Sequence, residues 1–379
     1  MSSNGEYITI VGSRKKQVQK VVEKQNWEVK ARAARNRPRA KPAKAFSAKL
    51  PSRENNGDQI DPTIRTLAAC KSIDEVEELV IEWGNIFHEK VSHGLRRRKI
   101  DPDKALMVDA LIANPGALSK PMLVSNYVGQ KAYRALHDRM VQMTTNHPMN
   151  EMAFVTFISG DGETSHANTT IDLCESQRRV QATMRAISPD FFGITEFALF
   201  NSQGHPSGGQ TLQRHEHVLV WGEGVVGKAR SIAVKHQGRY SPNFTGARVI
   251  DVRRVSTDPV NLRRICWYIM KPPLKCMNWN PPKDGKPGFM NQSEKGDRFI
   301  RYVRLAQIRS MISFDAATFA GGDGIRIRRE IITYLRSAVK SRAESADQTL
   351  HPDAVASFWV SLIQALRRDW NLPVIKTSR

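Results

Sequence analysis

Long apolar runs are missing from this chain. Nowhere do about 18 predominantly apolar residues follow one another, so no segment reads as a membrane-spanning helix. The first residues also lack the apolar stretch of a secretory signal. Cysteine is scarce: Cys70, Cys174, Cys266 and Cys276 are scattered, and no two are spaced as CxxC. Neither a disulfide framework nor a zinc ribbon is suggested, and a reducing cytoplasm is the expected location. Acidic residues are outnumbered, 37 Asp and Glu against 58 Lys and Arg, which leaves a net charge of +21. A surplus of that size points to a polyanionic partner, first of all a nucleic acid, with a ribosome-adjacent or anionic-membrane protein as the alternative; with no spanning segment, a membrane partner is not the expectation. No internal repeat is visible.

What is present divides the chain into five stretches. Residues 1–60 read as a flexible basic arm, in which "KARAARNRPRAKPAKAFSAK" has eight Lys/Arg and no acid. Residues 61–147 read as helical. Ser72 followed by Glu75 is a capping pair ahead of "IDEVEELVIEWGNIFHEKV", Asp101-Pro102 opens a second helix, and "NYVGQKAYRALHDRMVQM" is a third. In 148–275 the texture changes: "MAFVTFIS", "FGITEFALF", "HEHVLVWG" and "ARVIDVRRV" read as strands. Helices are expected at "TTIDLCESQRRVQATMRAI" and at "DPVNLRRICWYIMK", the latter stopped by Pro272-Pro273. Residues 276–297 read as a Pro/Gly/Lys-rich loop and 298–379 as helical again. The order predicts an α+β fold with a central, largely antiparallel sheet between N- and C-terminal helical regions.

One stretch, "RHEHVLVWGEGVVGKAR" (214–230), offers three chemistries. As a phosphate loop it lacks the Ser or Thr that must follow Lys228 to ligate magnesium; Ala229 stands there. As a dinucleotide fingerprint it needs a helix opening at the glycines, and the following "RSIAVKHQGRY" reads as too short and polar for one. The glycines are therefore expected to form a turn between strands. The histidines fare better, because alternate residues of a strand share a face: His215 and His217 point one way and Glu216 the other. Two imidazoles so placed can share a divalent ion with one further ligand. Gly209-x5-His215-x-His217 also fits the first motif of the cupins, with Glu223 one place late for that family's carboxylate. Cupins, however, need many more strands than this chain offers.

Taken together, three elements occur in a fixed order. "FVTFIS" carries an inward-facing Thr156, "ITEFALFNSQGHPSGGQTLQRHEHVLVW" brings Glu196 toward His215 and His217, and "ICWYIMK" places Tyr268 and Lys271 at i and i+3 on a helix. This order resembles the HUH endonucleases, specifically the single-tyrosine replication initiators (Rep type) of rolling-circle plasmids and phages. The matched region covers about a third of the chain. Two features depart from the family pattern: Glu216 stands where a hydrophobic residue is usual, and "SQGHPSGGQTLQ" is a longer link, expected as an extended loop.

The resemblance implies a ferredoxin/RRM-like sheet and nicking and joining of single-stranded origin DNA through a phosphotyrosine. It implies Mg2+ or Mn2+ held by His215, His217 and Glu196, Tyr268 as nucleophile, and Lys271 beside the phenolate or a phosphate. Such help is needed, because a phenol is mostly protonated at neutral pH. Thr156, Arg253, Arg254, Arg263 and Arg264 are the candidates for nucleic-acid contact, and Trp221, Trp267 and Trp279 for base stacking. Tyr302 is a reserve nucleophile. With no helicase-like phosphate loop in the chain, unwinding would fall to a host helicase. The competing readings are a non-catalytic nucleic-acid-binding protein and a cupin-like metal enzyme.

Overall fold

The computed structural model describes residues 67–113, 118–147, 151–167, 169–202, 210–244, 248–273, 277–280, 289–292, 299–344, 351–366, 368 and 370–377. The basic arm expected over 1–60 lies outside them. Helix α1 (Ile73–Arg97) starts at the predicted cap: Ser72 Oγ accepts from Glu75 N at 3.2 Å, and the Glu75 carboxylate accepts from Lys71 N at 2.8 Å. Its inward stripe, Val76, Leu79, Val80, Trp83, Ile86 and Phe87, is buried at helical spacing. Helices α2 (Pro102–Ala113) and α3 (Asn126–Asn146) follow, α3 capped by Ser125.

The sheet region then runs β1 (Glu151–Phe157), β2 (Glu163–Ser165), β3 (Thr170–Asp172), α4 (Leu173–Arg185), β4 (Phe191–Ser202), β5 (Gln210–Gly222), α5 (Val225–His236), β6 (Ile250–Val255) and α6 (Pro259–Met270). Beyond it lie β7 (Met277–Asn280), β8 (Phe289–Gln292), α7 (Phe299–Ser310), the short α8 (Phe314–Ala317), β9 (Thr318–Gly321), α9 (Asp323–Ala343), α10 (Pro352–Ala365) and β10 (Val374–Lys376). Eight strands form one sheet in the order β6-β1-β5-β4-β7-β8, with β2 also on β5 and β9 also on β4. The expected mixed α+β architecture, a central sheet flanked by helical regions, is what the chain adopts.

Within the sheet, β1 lies antiparallel between β6 and β5, and β5 antiparallel between β1 and β4. It follows that β1 and β4 run parallel, joined through α4, and β5 and β6 run parallel, joined through α5. Each crossover skips one strand. Alternation then divides the strands between two faces. Ala153, Val155, Val218 and Val220 pack with Val180 and Met184 of α4 and Val225, Val226, Ala229 and Ala233 of α5. Phe154, Ile194, Leu219 and Trp221 belong to the larger core shared with α1, α3, α6, α7 and α9.

Several expectations are corrected. The glycines of 222–227 do open a helix: α5 starts at Val225, and its apolar residues Val225, Val226, Ala229 and Ala233 meet the sheet despite the polar residues between them. Gly222 and Gly224 adopt positive φ, 141° and 62°, which turns the chain sharply from β5 into α5. The N-terminus of α5 already has an acid, because Val226 N donates to Glu151 Oε2 at 3.4 Å. The link between Glu196 and His215 is mostly strand: only residues 203–209 fall between β4 and β5, and they lie outside the described residues. The loop expected over 276–297 contains β7 and β8, and the stretch expected to be helical from 298 contributes β9 to the same sheet. An eight-stranded sheet with helices on both faces, beside a separate two-stranded pair, is not the jelly roll that a cupin requires.

The C-terminal stretch is fastened to the sheet region by a buried guanidinium. Arg304 of α7 donates to the carbonyls of His166 (2.8 Å) and Asn371 (2.9 Å), to Thr169 Oγ1 (3.3 Å) and to Gln307. Burial pulls its pKa down to about 9. Strand β10 pairs in parallel with β3 just beyond.

Helix α9 approaches β4 so closely at Gly324 that any Cβ there would collide with the Phe191 carbonyl oxygen. Gly324→Ala is expected to destabilise the fold by about 2–3 kcal/mol, because the obstacle is backbone and cannot turn aside. Urea denaturation of the variant and the parent measures it.

Candidate active site

Cross-strand register assembles the site. Glu196 on β4 lies directly opposite His215 on β5, and Thr156 on β1 lies directly opposite His217. All four side chains share the face that α6 covers. His217 is fixed at both ring nitrogens: Nδ1 lies 3.2 Å from Thr156 Oγ1, and Nε2 lies 2.8 Å from Glu196 Oε2. Phe154 stacks on the same imidazole, ring centroids 5.3 Å apart. Thr156, expected to contact nucleic acid, thus orients His217.

Helix α6 supplies the other half. The Tyr268 ring meets His217 and Phe154 edge-on, each at 5.6 Å between centroids, and is 37 % exposed, which puts it at the rim. Lys271 is not on the helix face as expected. The helix ends at Met270, and Lys271 is extended (φ −57°, ψ 148°), as a residue before proline prefers. From that position its Nζ donates to both Glu196 oxygens, at 2.8 and 2.7 Å, and sits 4.2 Å from the Tyr268 ring centroid. Three separate elements therefore bring Glu196, His215, His217, Tyr268 and Lys271 together.

Compared with family models, curated proteins and solved structures, the chain matches none of them.

Electrostatics make it a polarised cluster. Burial pushes the Glu196 carboxyl up, but Lys271 and His217 outweigh that and hold it well below the usual carboxylate range. His215 goes the other way: burial, then the neighbouring His217 charge, lowers it to about 3, against the pull of Glu196. Its ring is partly buried, and its Nε2 is buried with no hydrogen-bond partner among the described residues. An orphaned, neutral imidazole nitrogen opposite a carboxylate, 6.2 Å between ring centroids from a second imidazole, is a donor set that could hold a divalent ion. Among the described residues, no group of three or more His, Cys, Asp or Glu is already gathered at ligand geometry. The ion would be held by His215, His217 and Glu196 only after Glu196 gives up its present partners.

The four arginines separate. Arg253 on edge strand β6 pairs in register with Phe154, so it shares the site's face; it is exposed and ion-paired to Asp251 at 2.9 Å. Arg254 points to the opposite face, toward Glu151 at 3.2 Å. Arg263 turns inward to Glu77 of α1 (3.0 Å) and lies over the Tyr133 ring, which makes it a helix-packing residue. Arg264 is partly buried, its Nε without a partner among the described residues. Trp221 and Trp267 are 1 % and 2 % exposed and cannot stack on bases, and the Trp279 side chain lies outside the described residues. Tyr302 is buried between α7 and α1 with Lys90 over its ring, unavailable as a reserve nucleophile.

One residue was not foreseen. Arg309 of α7 is buried behind the site, where it lines a cavity of about 20 Å3 with Thr195, Glu196, Met270 and Lys271. Its Nη2 donates to Leu123 O at 2.6 Å, and burial lowers its guanidinium to about 10. Glu216, the unusual residue between the histidines, lies on the opposite face. There it accepts from Arg214 Nε at 2.7 Å and from Ser176 of α4, so its burial is compensated. It takes no part in the histidine site.

Because His215 titrates near 3 in the folded chain and near its ordinary 6.5 when unfolded, acid favours the unfolded chain. Its contribution is whole above pH 6.5 and is lost progressively as pH falls toward 3. The stability lost between pH 7.5 and pH 5 is expected to be about 1–2 kcal/mol smaller in His215→Gln than in the parent, measured by urea unfolding at both pH values.

Proposed function

We propose that this chain nicks and rejoins single-stranded DNA through Tyr268, as an initiator of rolling-circle replication of a plasmid or phage. One observation carries the reading: a rim-exposed tyrosine, a lysine beside its ring and a carboxylate–imidazole pair from three separate elements converge on one sheet face. The β1-α4-β4-β5-α5-β6 connectivity, with strand order β6-β1-β5-β4, supports the ferredoxin/RRM-like, HUH-type version of the fold.

Bound at His215, His217 and Glu196, Mg2+ or Mn2+ would polarise the scissile phosphate and stabilise charge developing on its oxygens. The chain does the rest. The Tyr268 oxygen attacks phosphorus and forms a P–O bond while the bond to the 3′-oxygen breaks. The phenol proton leaves and the departing 3′-oxygen gains one, giving a 5′-phosphotyrosine and a free 3′-hydroxyl. One phosphodiester replaces another, so the same hydroxyl can reverse the step and join ends. Lys271, beside the attacking ring, offsets negative charge on the phenolate or the phosphate. Thr156 and Phe154 hold His217 in orientation, and Arg253, on the site's face, is placed to contact a backbone phosphate. The net charge of +21 supports single-stranded origin DNA as partner. A cytoplasmic setting belongs to the same proposal, supported by Cys70, Cys174 and Cys266 being free thiols. Among the described residues, no helix is long and apolar enough to cross a membrane.

The competing reading, nucleic-acid binding without catalysis, would leave the converged tyrosine and carboxylate idle. Incubation with labelled single-stranded DNA and Mn2+ separates the two. A covalent protein–DNA adduct is expected from the parent and from Tyr302→Phe checked to be folded, and none from Tyr268→Phe. Tight binding without any adduct would favour the non-catalytic alternative.

A further inference from the structure

Lys271 occupies the place that a cation at this site must take. Its Nζ bridges both oxygens of Glu196, at 2.8 and 2.7 Å, and His217 Nε2 engages Oε2 at 2.8 Å. The lone pairs a divalent ion would use are thus already held by an ammonium. Across the ladder, His215 Nε2 is buried with no partner among the described residues, so one of the three ligands stands ready while Glu196 and His217 are engaged. The backbone at Lys271 has little freedom to follow a departing side chain, since it is extended and runs into Pro272-Pro273. Only the side chain is free to swing, and its ammonium already lies 4.2 Å from the Tyr268 ring centroid.

We infer that Lys271 is an exchangeable internal cation. It neutralises Glu196 while the site is metal-free, and it is released beside Tyr268 when a divalent cation takes the carboxylate. An ammonium and a divalent ion on the same two oxygens repel strongly in a partly buried site, so the two states exclude one another. The lysine is then free to meet a phosphate or the Tyr268 oxygen only once the carboxylate is loaded, which couples the nucleophile's positive neighbour to metal occupancy. This inference rests on the metal role proposed above.

The test needs no DNA. Mn2+ is titrated calorimetrically into the full chain and into Lys271→Met and Lys271→Gln, each checked to be folded. Removing the competing ammonium is expected to tighten Mn2+ binding about tenfold. Equal or weaker binding by the lysine variants overturns the exchange and leaves the metal role standing; no binding by any protein overturns both. A second readout uses the unaltered chain: acetylation of Lys271, followed by mass spectrometry, is expected to rise several-fold when Mn2+ is added. Unchanged or slower labelling overturns the exchange even if the lysine variants fail to fold. Failure of the nicking reading shows separately, as a protein that exchanges lysine for metal yet forms no adduct.

Discussion

The Glu196 carboxylate is the constraint around which this site is organised. A carboxylate placed in the interior of a sheet face is costly unless charges and hydrogen bonds surround it. Here Lys271 and His217 do so directly, and Arg309 contributes a further buried positive charge from behind. Each partner comes from a different part of the chain: Lys271 from the end of α6, His217 from β5, Arg309 from α7. Holding this one anion therefore ties the C-terminal helical stretch, the covering helix and the central strands to a common geometry, and Tyr268 is carried into place with Lys271.

The sheet keeps two polar systems apart by alternation alone. His215 and His217 face α6, while Glu216 between them faces α4 and is neutralised by Arg214 and Ser176. A one-residue slip of β5 would exchange the two sets and bury each against the wrong partners. The long β4–β5 ladder, from Phe191↔Val220 to Asn201↔Gln210, makes such a slip expensive. The unusual acid in the histidine motif is thus compatible with the motif's geometry, because it belongs to the opposite face.

Much of this was legible from local pattern. Period-two alternation located four strands, Ser72 with Glu75 marked the start of α1, and the spacing of Glu196, the histidines and Tyr268 pointed to one site. What stayed hidden depended on tertiary partners. Helix α5 looked too polar because its few apolar residues gain meaning only against the sheet. Strand β9 is four residues in an otherwise helical stretch and exists through pairing with β4. Arg304 and Arg309 look like ordinary surface arginines until carbonyls from distant segments are placed around them. Lys271 was expected on a helix face, but the following prolines end the helix one residue earlier and aim the lysine at Glu196.

A tyrosine nucleophile is proposed because Tyr268 is the most exposed residue of this cluster, while the ionic groups beside it are partly or fully buried. The most direct check is to digest the covalent product of the chain with single-stranded DNA and Mn2+ and sequence the nucleotide-bearing peptide. The account predicts a 5′-linked nucleotide on Tyr268, in the tryptic peptide that begins at Ile265. A nucleotide on any other residue, or no covalent product while Mn2+ and DNA are both bound, would contradict it.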